Sequence, residues 1–490
     1  MRVRRFTNRK LIEPEYYRAE HIGTTHPVAC FSKGVDNVVS GMKERVFFVD
    51  GSGTPPPPCC RRSSELACLV SELVSIIGPC NRATGVEFIS TRTGSKRKMY
   101  EQARTDLMLR PTSLRELAKL SFFTKTESTL WTKQQVPRIV SPRSFGFNYL
   151  LGKYLRPIEH KVFEAIPMLF QGITCVAKGL TQLQKGELIA KKLRPGWVCV
   201  GLDASRFDQT IGRELLTSEH SLYCGLYKGD KLLPALLRMQ LRNQGTARCR
   251  DGIVHADIGA MRCSGDQNTS LGNCLVSCLL AKLYFLEHGL NGDILNDGDD
   301  LLMFLPESHL PVLADLSDWY LRWGLRMKVE APAYEPEQVE FCQSRPVWTP
   351  SGWLLVRNYA KAGNTDFAGG PKLASMHDWL VHLRDVGVCG MAMAAGVPIH
   401  QAMYQAAIRL GATGRCKDRT AGVFYQAKIE WAAGASAKHR SISWRTRDSF
   451  WKAFGVSPPQ QEAMENWYAS SSMSRQTISE LLLTFNSQKF

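Results

Sequence analysis

The residues best suited to chemistry are the run Asn296-Asp297-Gly298-Asp299-Asp300. It lies between Asp293-Ile294-Leu295 and Leu301-Leu302-Met303-Phe304-Leu305. Asp-Gly between two apolar runs predicts strand, tight turn, strand. Two adjacent carboxylates would then stand on a turn whose arms are buried. Like charges about 4 Å apart repel by roughly 4 kcal/mol at an effective dielectric near 20. Such a turn calls for a cation, and Mg²⁺ prefers carboxylate and phosphate oxygens. The chemistry in view is phosphoryl transfer. By themselves these five residues also fit an ordinary surface hairpin. A calcium loop does not fit, because Leu295 stands where that loop needs Asp or Asn.

Three other segments carry groups of matching chemistry. Trp197-Val198-Cys199-Val200-Gly201-Leu202-Asp203 predicts a buried strand ending in a carboxylate, with Asp208 five residues on. A carboxylate at a strand's C-terminal end can face a cleft; alternatively, Asp203 caps a helix starting at Ala204. Asp203 with the Asp299-Asp300 turn could hold two Mg²⁺ ions about 3.5–4 Å apart, stabilising the attacking and leaving oxygens of an in-line displacement. Ser264-Gly265 through Asn273 reads as a flexible polar loop entering a helix, where Ser264, Thr269 and Asn273 could read a sugar edge. Thr269 and Asn273 share a helix face. Pro137 and Pro142 bracket an extended ribbon, along which Lys133, Arg138 and Arg143 could neutralise a triphosphate.

These groups need a scaffold. The chain has 490 residues, enough for two to four domains or subdomains. Its net charge is +17, and residues 1–195 hold 32 Lys/Arg against 16 Asp/Glu. The remainder is nearly balanced, so a polyanion partner is expected to meet mainly the N-terminal part. The 15 cysteines lack framework spacing, which predicts reduced thiols and no zinc signature. No run of 18 apolar residues predicts a membrane span, and the N-terminus has no secretory pattern. Strands are expected at 45–49, 197–203, 293–295 and 301–305, and a hairpin from 340–343 and 353–356. Helices are expected at 62–78, at 147–165 with a break at Pro157, mainly over 213–243, at 269–287, at 310–324, and through most of the chain after 370, ending with 476–485. Residues 1–20 are expected to be an irregular arm, and 92–98 a basic loop. No repeats, Walker A, HExxH or GxSxG pattern is present.

The order of these pieces resembles motifs F, A, B and C of viral RNA-dependent RNA polymerases, with the tombusvirus-like plus-strand group most similar. The segments Arg138-Ile139-Val140-Ser141-Pro142-Arg143, Leu155-Arg156-Pro157-Ile158-Glu159-His160, Met261 to Thr269 and Phe341-Cys342-Gln343 look like that group's signatures. Lys328 resembles motif D. The similarity spans roughly residues 35–360.

The resemblance implies an α+β right-hand polymerase. Fingers would take 1–195 with an insertion at 213–254, the palm 196–212 and 255–345, and the thumb 346–490. It implies that Asp203 and Asp299 ligate two Mg²⁺ or Mn²⁺ ions with Asp300 close by. Asp208 and Asn273, helped by Ser264 and Thr269, would recognise the ribose 2′-hydroxyl, the group that separates RNA from DNA building blocks. Arg138 and Arg143, with Lys125 or Lys133, would hold the incoming phosphates. Lys328 would protonate the leaving pyrophosphate, and Cys342 would lie near the primer strand. Template RNA, nascent RNA and NTPs are the implied partners. Host-cytoplasmic, membrane-associated complexes are the implied setting, reached through a membrane-anchored partner or an upstream extension. Two rivals remain at this point: a reverse transcriptase, which would carry a bulky residue in place of the Asp208–Asn273 pair, and a basic RNA-binding or capsid protein with a degenerate palm.

Overall fold

The computed structural model describes residues 1–6, 28–29, 31–49, 53–125, 129–130, 136–367, 373, 375–419 and 422–470. The protein is a mixed helix-and-strand structure organised around a four-stranded antiparallel sheet. In spatial order its strands are Asp293–Asn296, Asp300–Pro306, Trp197–Ala204 and Met327–Val329. Alternation divides each strand between two faces. Val198, Val200, Leu202, Leu301, Met303 and Leu305 face one large core with the helices Thr269–Glu287 and Leu316–Arg322. Cys199, Leu302, Phe304 and Leu295 face the opposite way, against Ala177, Ile189, Val339, Phe341 and Leu355. Both faces are therefore apolar, which matches the near-continuous hydrophobic runs in the sequence. Burying each large side chain stabilises the sheet by about 1.5–3 kcal/mol.

Two further cores flank the sheet. Arg2–Arg5, Gly252–Gly259, Asn243–Arg248 and Leu120–Ser121 form a second sheet. It packs through Leu120, Val254 and Phe122 on Val35, Val38 and Met42. Beyond residue 345 the hairpin Ser344–Thr349/Gly352–Arg357 joins helices Met376–Ala394, His400–Leu410, Gly422–Ala432, Trp444–Phe454 and Pro458–Ser470 around a separate core. Thr269–Glu287 is the one helix among the described residues long and apolar enough to cross a membrane, and most of it is buried inside the protein.

Several expectations are corrected. Residues 45–49 are not a strand: the helix Val35–Met42 continues as a π-helical turn, Lys43–Phe47. Helical spacing carries Val46 onto Val38 and Met42, and this burial outweighs β propensity. The basic stretch 92–98 is mostly the first turn of the helix Gly94–Leu109, where Arg97 meets Glu101 one turn on at 2.9 Å. The helix Phe145–Ala165 passes through Pro157 unbroken. Proline leaves the carbonyl four residues earlier without a donor, and here the Ala83 N–H donates to that Lys153 carbonyl at 2.8 Å. Residues 340–343 are a turn leading into the strand Ser344–Thr349. Over 310–324 a 3₁₀ segment, Glu307–Asp315, precedes the short helix Leu316–Arg322. Of the supposed arm, residues 2–5 are a strand; residues 7–20 and the expected helix 476–485 lie outside the described residues.

Asp293, at the start of the edge strand, is fully buried and paired with the equally buried Lys192 at 2.6 Å. Its other oxygen accepts the Ile294 N–H at 2.8 Å. Removing one partner strands a buried charge. Lys192→Met should therefore cost about 3–5 kcal/mol in urea denaturation, whereas Lys192→Met with Asp293→Leu should recover most of that. Equal costs for the single and the double replacement would contradict this account of the pair.

Candidate active site

The catalytic candidates meet at one end of the central sheet. Asp203 is directly opposite Asp300 across one strand pair and directly opposite Lys328 across the other. Opposed residues in antiparallel strands bring their Cβ atoms within about 4.5–5.5 Å. Carboxylate, carboxylate and ammonium thus stand in a row on one face. Asp203 belongs to the strand and caps no helix; the nearby helical turn, Phe207–Thr210, begins after Arg206.

The turn between the two hairpin strands is closed by Asn296, which has no solvent exposure. Its Nδ2 donates to the carbonyls of Gly298 at 3.0 Å and Asp300 at 2.9 Å, and to Ser277 Oγ at 3.0 Å; its Oδ1 accepts the Gly298 N–H at 2.9 Å. Gly298 has φ +94°, a conformation that a β-carbon disfavours. Asp297 has cationic partners of its own. Its carboxylate pairs with Lys178 and, at 3.6 Å, with Lys185, while Lys178 Nζ also donates to the Asp297 carbonyl at 3.2 Å. Lys178 arrives there because Val176 bridges to Asn296 at the sheet edge. Sequence reasoning missed both lysines, since no local signal links them to a turn more than a hundred residues away.

Asp299 and Asp300 are treated differently from Asp297. Burial pushes the Asp300 carboxyl up to about 6, with Asp299, Asp297 and Asp203 adding to the rise against a hydrogen bond from Cys342. Asp299 keeps one side open to solvent while protein surrounds the rest. Burial raises its pKa and Asp208 adds to this, whereas Arg138 and Lys178 work in the opposite direction. Glu330 is a fourth carboxylate on this face that the sequence reading did not single out. Its Oε2 lies 2.5 Å from where a β-carbon on Gly201 would sit, so glycine makes room for it. Burial, then Glu340, raises its pKa, and Lys328 lowers it.

Beside this row, Asn273 Nδ2 donates to Asp208 Oδ1 at 2.8 Å. The Ser264 carbonyl accepts the Ser141 N–H at 2.7 Å, tying the basic ribbon to the polar loop. Gly265, at φ +103°, lets the loop lie against Val140 and Pro142. Thr269 Oγ1 donates to the Cys263 carbonyl at 3.0 Å. Arg138 is exposed and its charge reaches Asp299. Lys125 is exposed too, and its N–H donates to the Arg138 carbonyl at 2.8 Å; Lys133 lies outside the described residues.

Arg143 departs from expectation. Its side chain has no exposure and pairs with Asp266 at 2.9 Å, while its other nitrogens donate to the Ala118 carbonyl and Asn243 Oδ1. A guanidinium so engaged is not available to a triphosphate; it holds the ribbon to the polar loop. Cys342 lies against Asp300. Cys342 and Gln343 both have positive φ, 52° and 60°, while Phe341 and Ser344 exchange backbone hydrogen bonds at 2.9 and 3.0 Å. This two-residue turn normally takes Asn-Gly, so it stores about 1–3 kcal/mol per residue beside the carboxylates.

The donor set fits Mg²⁺. Among the described residues no three such side chains already converge into a cage. Mg²⁺ is typically held by one or two carboxylates plus substrate phosphates, so an open carboxylate row suits it. The raising of Asp300 by burial and by the neighbouring carboxylates Asp299, Asp297 and Asp203 marks a surplus of negative charge at this spot.

A model of the viral RNA-dependent RNA polymerases matches residues 2–476. The chain is 33% identical over 471 residues to the RNA-directed RNA polymerase of Maize chlorotic mottle virus, covering 93% of this chain and 48% of that protein. It is 34% identical over 487 residues to that of Oat chlorotic stunt virus, covering 92% and 63%. It is 34% identical over 470 residues to that of Tobacco necrosis virus, again covering 92% and 63%. The chain thus spans between about half and just under two thirds of the length of these relatives.

The raised Asp300 carboxyl has a consequence for stability in the absence of metal. Its folded pKa of about 6 lies above its ordinary 3.8. Its contribution to stability is therefore complete at low pH and is lost as pH rises through about 6. In EDTA, Asp300→Asn should be more stable than the unchanged protein near pH 8 by at most about 3 kcal/mol, and the advantage should vanish near pH 4. Urea denaturation at the two pH values checks this; an equal gap at both would contradict it.

Proposed function

Because the chain belongs to the viral RNA-dependent RNA polymerase family, we propose that it carries out template-directed RNA synthesis from NTPs. The observation that carries the proposal is the register setting Asp203 opposite Asp300, with Asp299 at the adjoining turn. We propose that the central sheet with its helices is the palm (196–212 and 255–345), that residues 1–195 and 213–254 form the fingers, and that 346–490 form the thumb. The separate apolar core of the helices beyond 345 supports the boundary with the thumb.

Asp203 and Asp299 would hold two Mg²⁺ or Mn²⁺ ions, with Asp300 supporting them. Bound there, the ions supply charge stabilisation for the attacking and leaving oxygens of an in-line displacement. The remaining work falls to side chains. Asp208 accepts from Asn273 through Oδ1, which leaves Oδ2 to accept from a ribose 2′-hydroxyl. Ser264 and Thr269 stand on the loop beside them. Arg138, with Lys125 or Lys133, would meet the triphosphate, without Arg143. Lys328, across from Asp203, is the ammonium best set to protonate the pyrophosphate as it leaves. Cys342 would lie where the primer strand approaches Asp300. We further propose that RNA replication of a plus-strand genome takes place in the host cytoplasm, with a membrane-anchored partner recruiting the chain.

Purified protein with a short RNA template and Mg²⁺ should incorporate NTPs in strong preference to dNTPs. Asp299→Ala should reduce incorporation to background while RNA binding stays nearly intact. Undiminished synthesis by Asp299→Ala would refute the metal assignment, and a strong dNTP preference would refute the RNA polymerase reading.

A further inference from the structure

Directly behind Asn273 lies a buried ion pair that no step above uses. The side chains of Arg262 and Glu219 are 1% and 0% exposed. Arg262 Nη2 meets Glu219 Oε2, and Nη1 donates to Oε1 at 3.3 Å. The third nitrogen, Nε, donates to Asn273 Oδ1 at 2.8 Å. Glu219 is held in turn by Asn268 Nδ2 at 2.5 Å and by the Tyr223 hydroxyl at 2.9 Å. Gln240 donates to both Asn268 Oδ1 at 2.8 Å and Asp266 Oδ2 at 3.0 Å, which connects the pair to the Arg143 cluster. Burial alone would raise the Glu219 carboxyl, but the adjacent Arg262 outweighs it and holds the carboxyl below its ordinary range.

The chemistry of these groups leaves Asn273 a single orientation. Arginine only donates hydrogen bonds and a carboxylate only accepts them. Asn273 sits between Arg262 on one side and Asp208 on the other. With Oδ1 toward Arg262 and Nδ2 toward Asp208, both contacts are satisfied. A flipped amide would set NH₂ against the guanidinium and an oxygen against the Asp208 carboxylate. The helix carrying Asn273 is shaped for this pair. At Gly272 a β-carbon would stand 2.4 Å from Glu219 Oε1 and 2.5 Å from Arg262 Nη2, so any side chain there would displace it.

We propose that the Glu219–Arg262 pair is the positioning device for ribose selection: it locks the Asn273 amide so that Asp208 presents one oxygen to a 2′-hydroxyl. Neither residue touches the nucleotide; both act through Asn273. The proposal rests on the polymerase reading given above. It explains why a buried charge pair, costly in itself, stands behind a helix N-terminus that a neutral core could have packed.

The test compares single-nucleotide incorporation of ATP and dATP on one RNA template. The proteins are the unchanged chain, Arg262→Lys, the charge-free double variant Glu219→Gln with Arg262→Gln, Asn273→Ala and Asp208→Ala. Arg262→Lys keeps a cation opposite Glu219 but cannot also supply the Nε–H that orients Asn273. It should lower the ATP-to-dATP ratio of kcat/KM by roughly tenfold or more, with the loss mainly on the ATP side. The double variant leaves no uncompensated buried charge and carries the same readout if the lysine variant does not fold. A ratio unchanged in the Arg262 variants, with ATP and dATP rates falling in parallel, would overturn the proposal. If Asn273→Ala and Asp208→Ala lower the ratio in that case, only the positioning role fails. If they too leave it unchanged, the ribose-reading assignment itself falls.

Discussion

Antiparallel pairing between Trp197–Ala204 and Asp300–Pro306 sets Asp203 across from Asp300, and the surrounding structure is arranged around the cost of that juxtaposition. Like charges this close repel. They stay together because the strands bearing them are buried on both faces, each packed into its own core, so a one-residue slip would exchange the two faces and mismatch both packings. The hairpin turn is fastened separately: Asn296 closes it from within, and Lys178 and Lys185 hold Asp297 from outside. The turn therefore separates its acids by role. Asp297 is neutralised by lysines, while Asp299 and Asp300 remain electrostatically unsettled and suited to a divalent cation. The strained Cys342–Gln343 turn lies against the same spot, as expected where function outweighs local stability.

A second constraint runs through polar contacts. From Arg143 a buried chain of hydrogen bonds passes through Asp266, Gln240 and Asn268 to Glu219, then through Arg262 and Asn273 to Asp208. It joins the basic ribbon, the polar loop, the helices after residue 213 and the sheet end. Inside a low-dielectric interior the hydrogen bonds of such a network strengthen one another and make it rigid. Asp208 and Asn273, proposed above to read a sugar, are thus held by the same contacts that hold the ribbon beside them.

Much of the scaffold was legible in the sequence. Asp-Gly between apolar runs marks the hairpin turn, and the strand before Asp203 and the helix Thr269–Glu287 follow from continuous apolar stretches of strand and helix length. What was not legible depended on distant partners. Pro157 looked like a helix break because Ala83, which takes up the freed carbonyl, lies far away in sequence. Arg143 looked like a phosphate ligand because a basic residue in a Pro-bracketed ribbon gives no sign of Asp266 and Asn243 around it. Lys178, Lys185, Glu330 and the Glu219–Arg262 pair carry no local signature at all. Each gains its meaning from register or from burial, which a single sequence does not display.

The opposed carboxylates are proposed to form a divalent-cation site completed by nucleotide phosphates. Electron paramagnetic resonance of Mn²⁺ added to the protein, with and without a non-hydrolysable NTP, tests it most directly. Saturable binding that tightens with the nucleotide and is largely lost in Asp203→Asn is the expected result. Mn²⁺ binding that is the same in Asp203→Asn as in the unchanged protein, with nucleotide present, would rule out a metal site at these carboxylates.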